Sequence, residues 1–285
     1  MLSDIPLYQP QKQLFKQNAV YVVVGGLTGL GFETVKFIAE NGGGCIAILS
    51  RRILSHEKQE EMKALQQQYK GSKVVFVQCD VTLTGDVEKA FKSIANTFVG
   101  SPIKGVFQGA VALHDGHLEV LTLADFQKVL SPKVAGTLNL HWATRGQELD
   151  YFVCYSSVAS FLGNATQTNY AAANSFLDLF CLYRRNRGLS GATVGHLVQP
   201  PCPSRVILEH MAQDCVQNLS SEGESTTSLG NLFQFLVTYT VEKFFLMFRW
   251  NFLCISFCPL SLVLLLGTTE KSLAPSSWHP TFRYL

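Results

Sequence analysis

Between residues 20 and 198 the chain alternates short runs of apolar, mostly β-branched residues with longer amphipathic stretches. The apolar runs are Val20–Val24, Cys45–Leu49, Val74–Val77, Ile103–Phe107, Tyr151–Tyr155 and Thr193–Val198. Each run is continuous, which predicts a strand covered on both faces, and each intervening segment is long enough for a crossover helix. With right-handed crossovers this predicts an α/β fold built on a doubly wound parallel sheet.

The alternation stops near Pro200. We therefore divide the chain into an N-terminal extension (1–18), a nucleotide-binding domain (19–199) and an atypical tail (200–285). The tail begins polar and irregular and turns apolar and aromatic after residue 233. Its segment 250–267 holds eighteen residues without a charge, at the lower edge of a membrane span. Three readings of it stand: a tail anchor, a core helix interrupted at Pro259, or non-native sequence from an altered transcript or gene model.

Composition narrows the function classes. Of the 285 residues 47% are hydrophobic and 15% charged, as in a packed globular protein. A formal charge of +2 provides no electrostatic case for nucleic acid. The eight cysteines are scattered without CxxC or zinc spacing, which predicts buried free thiols in a reducing compartment and no metal site. The polar N-terminus has no secretory signal pattern, so the body is expected to be cytoplasmic, with a membrane entering only through the tail.

The first expected strand runs into VGGLTGLGFE, placing Gly25, Gly26, Leu27, Thr28, Gly29, Leu30 and Gly31 between a strand and a helix. Side chains there would hold a pyrophosphate away from backbone amides, and the following helix offers free N–H groups and a positive dipole end. This context predicts a dinucleotide site. The second strand ends in Ser50, Arg51 and Arg52. A basic residue at this place suits the 2′-phosphate of NADP(H), whereas an acid would suit the ribose hydroxyls of NAD. After the third strand come Asp80 and Val81. Asp80 has two readings of equal weight, acceptor for the adenine amine or cap of the next helix.

Tyr170 and Asn174 are four residues apart and share a helix face. Ser157 lies thirteen residues before Tyr170, at the end of a strand, where open α/β sheets place their ligands. These residues, with VVVGGLTGLG, LSRR, GVFQGAVALHDG, SPKVAGTLNL, LDYFVCYSSVAS and GNATQTNYAAANSFLD, resemble the ketoreductase domain of fatty acid and polyketide synthases. That family lies within the short-chain dehydrogenase/reductase superfamily, and the animal fatty acid synthase type looks most similar. The resemblance covers about residues 15–198 and implies a Rossmann-like fold. It also implies a catalytic lysine at Lys133, in the PK-x-x-G segment, in place of the lysine that ordinary superfamily members carry four residues after the tyrosine. Gln108 is included among the expected cofactor residues.

On this resemblance the chain uses NADPH to reduce the β-ketone of an acyl chain held on an acyl carrier protein, with other synthase domains as partners. Tyr170 would donate the proton, although a free phenol titrates near ~10. An ammonium from Lys133 would favour its phenolate. Ser157 would donate to the carbonyl oxygen, and Asn174 would orient Lys133 or a relay water. In LHDG, Asp115 matches the acid that accompanies a 3R-hydroxyacyl product in the family, while His114 reads as a solvent-facing loop residue. His141 receives no role.

Two departures from the family stand out. Val24 replaces a threonine before the glycines, and after the sixth strand Pro200 and Pro201 stand where ketoreductases have a tryptophan-glycine turn. Prolines fix φ and remove amide donors. This keeps two alternatives open: a truncated, catalytically impaired NADP-binding remnant, or a membrane-tethered short-chain reductase of lipid ketones. With neither half-domain nor carrier domain in view, the chain is expected to be a fragment or truncated isoform.

Overall fold

Every residue of Val20–Val24 is buried, and alternate side chains enter different cores. Tyr21 and Val23 join one apolar cluster, and Val20, Val22 and Val24 join the other, as the two-residue period of a strand requires. The computed structural model describes residues 14–196. Along them run β1 (Val20–Val24), α1 (Gly29–Glu40), β2 (Cys45–Ser50), α2 (His56–Gln68), β3 (Lys73–Gln78) and α3 (Thr84–Thr97). There follow β4 (Ile103–Gln108), α4 (Leu123–Ala143), β5 (Tyr151–Ser157), α5 (Ala159–Leu162), α6 (Thr168–Arg185) and β6 (Ala192–His196).

The strands form one sheet in the order β3-β2-β1-β4-β5-β6, with every pair parallel. This is the doubly wound arrangement expected from the sequence. Phe32, Val35, Ile38, Met62 and Leu65 of α1 and α2 cover one face. Val87, Phe91, Ile94, Leu140, Leu177 and Phe180 of α3, α4 and α6 cover the other. The winding reverses between β1 and β4, and such sheets hold ligands outside the strand ends at that point.

The expected strands are all present, with shifted ends. β5 extends two residues beyond Tyr155 and brings Ser157 into register with His196 of β6. The compact body also starts before residue 19. Phe15 is 1% exposed and packs edge-on to Tyr21 and Phe37, so the boundary placed at 18/19 cuts through folded structure. Lys16 pairs with Asp150 at 2.7 Å, and the Leu14 carbonyl accepts from the Tyr151 hydroxyl.

Cys45, Cys79, Cys154 and Cys181 are free thiols, and all but Cys45 are buried. No helix among the described residues is long and apolar enough to cross a membrane. The boundary near residue 200, Pro200, Pro201, the remaining cysteines and segment 250–267 lie outside the described residues.

Candidate active site

A cleft of about 350 Å3 opens at the carboxyl ends of β1, β2, β4 and β5, across the switch point. Its wall includes Gly25, Leu27, Thr28, Gly29, Leu30 and Gly31 at one end and Lys133, Tyr155, Ser156 and Tyr170 at the other. The loop leaves the sheet where the Gly25 amide donates to the Leu49 carbonyl at 2.8 Å. A Cβ on Gly31 would stand 2.3 Å from the Gly25 carbonyl oxygen, so only glycine lets α1 approach the strand end this closely. Gly29 is different. It has φ +55°, and a Cβ there would meet nothing within 4 Å, so its backbone faces open cleft. Thr28, the α1 N-cap, makes no side-chain cap bond. This combination fits a dinucleotide phosphate bridge: backbone exposed toward the cleft, at the positive end of a helix.

Ser50, Arg51, Arg52, Asp80 and Val81 also line the cleft. Arg51 is more than half exposed and lies 3.9 Å from the second carboxylate oxygen of Asp80. The other oxygen of Asp80 accepts from the Thr82 amide at 2.9 Å and from its hydroxyl at 2.8 Å. Asp80 therefore shapes the turn before α3, although the N-cap of that helix is Leu83. The Ser50 hydroxyl accepts from the Arg52 amide. Burial first, then Asp86 and Asp80, push the Cys79 thiol up to about 11, which keeps it protonated beside this end of the cleft.

At the opposite end three elements converge. Lys133 projects from α4, one residue after Pro132 within that helix, and is 2% exposed. Its amine donates to the Tyr155 carbonyl of β5 at 2.7 Å and sits 5.6 Å from the centre of the Tyr170 ring on α6. Burial drives the Lys133 pKa down to about 8, against smaller opposing effects of Cys154 and Asp178. Ser157, 3% exposed, ends β5, and its hydroxyl accepts from the Ala159 amide at 3.2 Å. Asn174 is fully buried one turn after Tyr170, and its amide donates to the Tyr170 carbonyl at 2.8 Å. Among the described residues its Oδ1 has no hydrogen-bond partner. The carboxamide is therefore held by the Tyr170 backbone and makes no bond to Lys133.

Gln108, Gly26, Ser157 and Asn174 do not contribute to the described wall of this cleft. For Gln108 the physical reason is plain. It is fully buried, donates to the Pro132 carbonyl at 2.9 Å and accepts from the Ala110 amide at 3.0 Å. Its amide locks β4 to α4. Gly26 faces Ile48 and Val23 in the core.

His114, expected to face solvent, pairs with Asp125 of α4 at 2.9 Å. Asp115 accepts from Gln167 at 3.0 Å, and the Asn169 side chain donates to the His114 carbonyl at 2.8 Å. The sequence reading missed Asn169 and the Tyr155 carbonyl. The partners of Asn169 lie far away in the chain, and a carbonyl has no residue signature at all.

The family model of the KR domain matches residues 19–198. The chain belongs to the ketoreductase domain family. The family consists of oxidoreductases with the short-chain dehydrogenase/reductase fold, and of the expected catalytic residues Lys133 and Tyr170 line this cleft. A highly-reducing polyketide synthase 1 from Aureobasidium melanogenum is 40% identical over 209 residues, 73% of this chain. A hybrid PKS-NRPS synthetase, pynA, from Aspergillus niger is 36% identical over 67% of it. The chain spans only 9% and 5% of those two proteins. These relatives carry the polyketide side of the resemblance. Among solved structures, a ketoreductase domain from the bacillaene assembly line superposes with TM-score 0.66 at 28% identity. That match covers 74% of this chain and 57% of the other.

Proposed function

We propose that this ketoreductase domain reduces the β-ketone of an acyl chain on a carrier protein, with NADPH as reductant, within polyketide or fatty acid assembly. The observation that carries the reading is the Lys133 amine beside the Tyr170 ring, on the wall of one cleft that also runs past Gly29 and Arg51. NADPH, when bound, supplies the hydride. The loop Gly25–Gly31 would hold its pyrophosphate, Arg51 its 2′-phosphate, and Asp80 and Val81 the adenine side.

The chain's own groups then handle the oxygen. As hydride reaches the carbonyl carbon, negative charge grows on oxygen. The Tyr170 hydroxyl donates its proton there, and the Lys133 cation lowers the cost of leaving a phenolate behind. Ser157 adds a hydrogen bond to the same oxygen. Other synthase domains supply and take up the carrier-bound chain, and the four free cysteines among the described residues support a reducing, cytoplasmic setting.

The test is NADPH oxidation by the full chain with trans-1-decalone or an acetoacetyl thioester. Turnover abolished by Tyr170→Phe is expected. Measurable NADPH binding with no turnover would refute the reading and favour a second one, a nucleotide-binding remnant without a reaction. That second reading rests on Pro200 and Pro201, which replace the family's turn after the sixth strand. Restoring a Trp-Gly pair there and recovering activity is its distinguishing result.

A further inference from the structure

Asn169 precedes Tyr170 and is fully buried. Both ends of its side chain are engaged. Oδ1 accepts from the Tyr170 amide at 2.8 Å, and Nδ2 donates at 2.8 Å to the carbonyl of His114, fifty-five positions away in the chain. It is not the N-cap of α6, which is Gln167 and makes no side-chain cap bond. The Asn169 carboxamide therefore joins the backbone at Tyr170 to the loop between β4 and α4.

Other contacts keep that loop in place. The Gly116 amide donates to the Thr166 carbonyl at 2.8 Å, Gln167 donates to Asp115, and His114 reaches Asp125 of α4. Thr166 is a β-branched residue at φ 63°, a conformation that persists only when its surroundings impose it. The same loop supplies Val111 to the cleft wall. The Gln167–Asp115 tie is exposed, whereas the Asn169 side chain is buried, and a buried polar group stripped of its partner costs far more than an exposed one.

We infer that Asn169 is a positioning residue, which fixes the first turn of α6 against the β4–α4 loop and so holds the Tyr170 phenol at the Lys133 amine. The inference rests on Tyr170 being the proton donor. A loss of about 1 Å in placement costs on the order of 100-fold in rate.

The experiment compares Asn169→Ala, Asn169→Asp and Tyr170→Phe in the full chain. Steady-state reduction of trans-1-decalone, NADPH titration and hydrogen exchange of the segment 113–117 are measured for each. Asn169→Ala should lose on the order of 100-fold in kcat, keep NADPH affinity within about twofold, and shift the alkaline limb of its pH profile as the phenol leaves the ammonium. Exchange at 113–117 should accelerate, while the second half of α6 stays protected. Asn169→Asp, close to isosteric, donates to the His114 carbonyl only when protonated, so its kcat should recover as the pH is lowered. Wild-type kcat and pH profile in Asn169→Ala, or unchanged exchange at 113–117, overturns the inference while leaving Tyr170→Phe inactive. If Tyr170→Phe itself turns over normally, the reading of Tyr170 falls and takes this inference with it.

Discussion

The Lys133 amine lies 5.6 Å from the centre of the Tyr170 ring and donates to the Tyr155 carbonyl at 2.7 Å. One buried cation is thus gripped by a strand end and aimed at a ring on a neighbouring helix. Among the described residues no carboxylate bonds to it directly. Its desolvation is offset by one backbone dipole and by smaller effects of Cys154 and the Asp178 carboxylate.

This cation should limit activity at high pH. The Lys133 pKa is held at about 8, so kcat/KM for ketone reduction is expected to be level below pH 8 and to fall above it. Between 8 and the ordinary 10.5 the unfolded chain binds more protons than the native one, so this residue makes stability rise with pH across that window. Its full cost is present below 8. Lys133→Met should therefore melt no lower than wild type at pH 7 while losing about 100-fold or more in kcat/KM. A melting scan and a pH–rate profile check both.

The two loop glycines should fail in different ways. Gly31→Ala drives a Cβ to 2.3 Å from the Gly25 carbonyl, and the backbone must shift, costing about 1–3 kcal/mol of stability. Gly29→Ala meets no atom within 4 Å and costs only about 1 kcal/mol from its positive φ. Its methyl enters the cleft, so NADPH affinity should suffer more than folding. Urea unfolding with and without NADPH separates the two.

Arg51 is more than half exposed and only loosely paired with Asp80 at 3.9 Å, so it is available to a phosphate. Arg51→Ser should weaken NADPH by roughly tenfold, about 1.4 kcal/mol, and leave NADH unchanged. Parallel fluorescence titrations with the two nucleotides decide it. Equal losses for both would point to a general effect of the loop.

His141 should make the domain acid-sensitive. Burial first, then Arg184 and Arg145, push its pKa from 6.5 down to about 4, and its Nδ1 is hydrogen-bonded to Arg184. As pH falls from 6.5 to 4 the unfolded chain takes up a proton that the native ring refuses, so stability is lost through that window. His141→Asn keeps an acceptor for Arg184 and should flatten the decline, as urea midpoints measured at pH 7, 6 and 5 will register.

How much was legible in the chain differs residue by residue. Ser157, Tyr170 and Asn174 could be named from their types and spacing, and Lys133 from the resemblance of its PK-x-x-G segment to the ketoreductase family. For Gln108 the sequence alone could not show whether a strand-end polar residue faces a cleft or locks a helix, and the bond of its amide to the Pro132 carbonyl exists only in the folded chain. His114 lies on a loop with its side chain 39% exposed, as expected, and its pairing with Asp125 on the next helix is what the sequence did not show. The burial of Phe15 was not legible because it stands alone before the first apolar run, and only the rings of Tyr21, Phe37 and Tyr151 around it reveal it.

The succession of strands and helices along the chain and the glycine loop between the first strand and helix were determined by sequence alone, since apolar periodicity and residue type are local properties. Tertiary structure alone decided which backbone groups hold those side chains: the Tyr155 carbonyl for Lys133, the Tyr170 carbonyl for Asn174, the His114 carbonyl for Asn169. Every residue has the same carbonyl, so its role exists only once the chain has folded and a distant donor has been brought within reach.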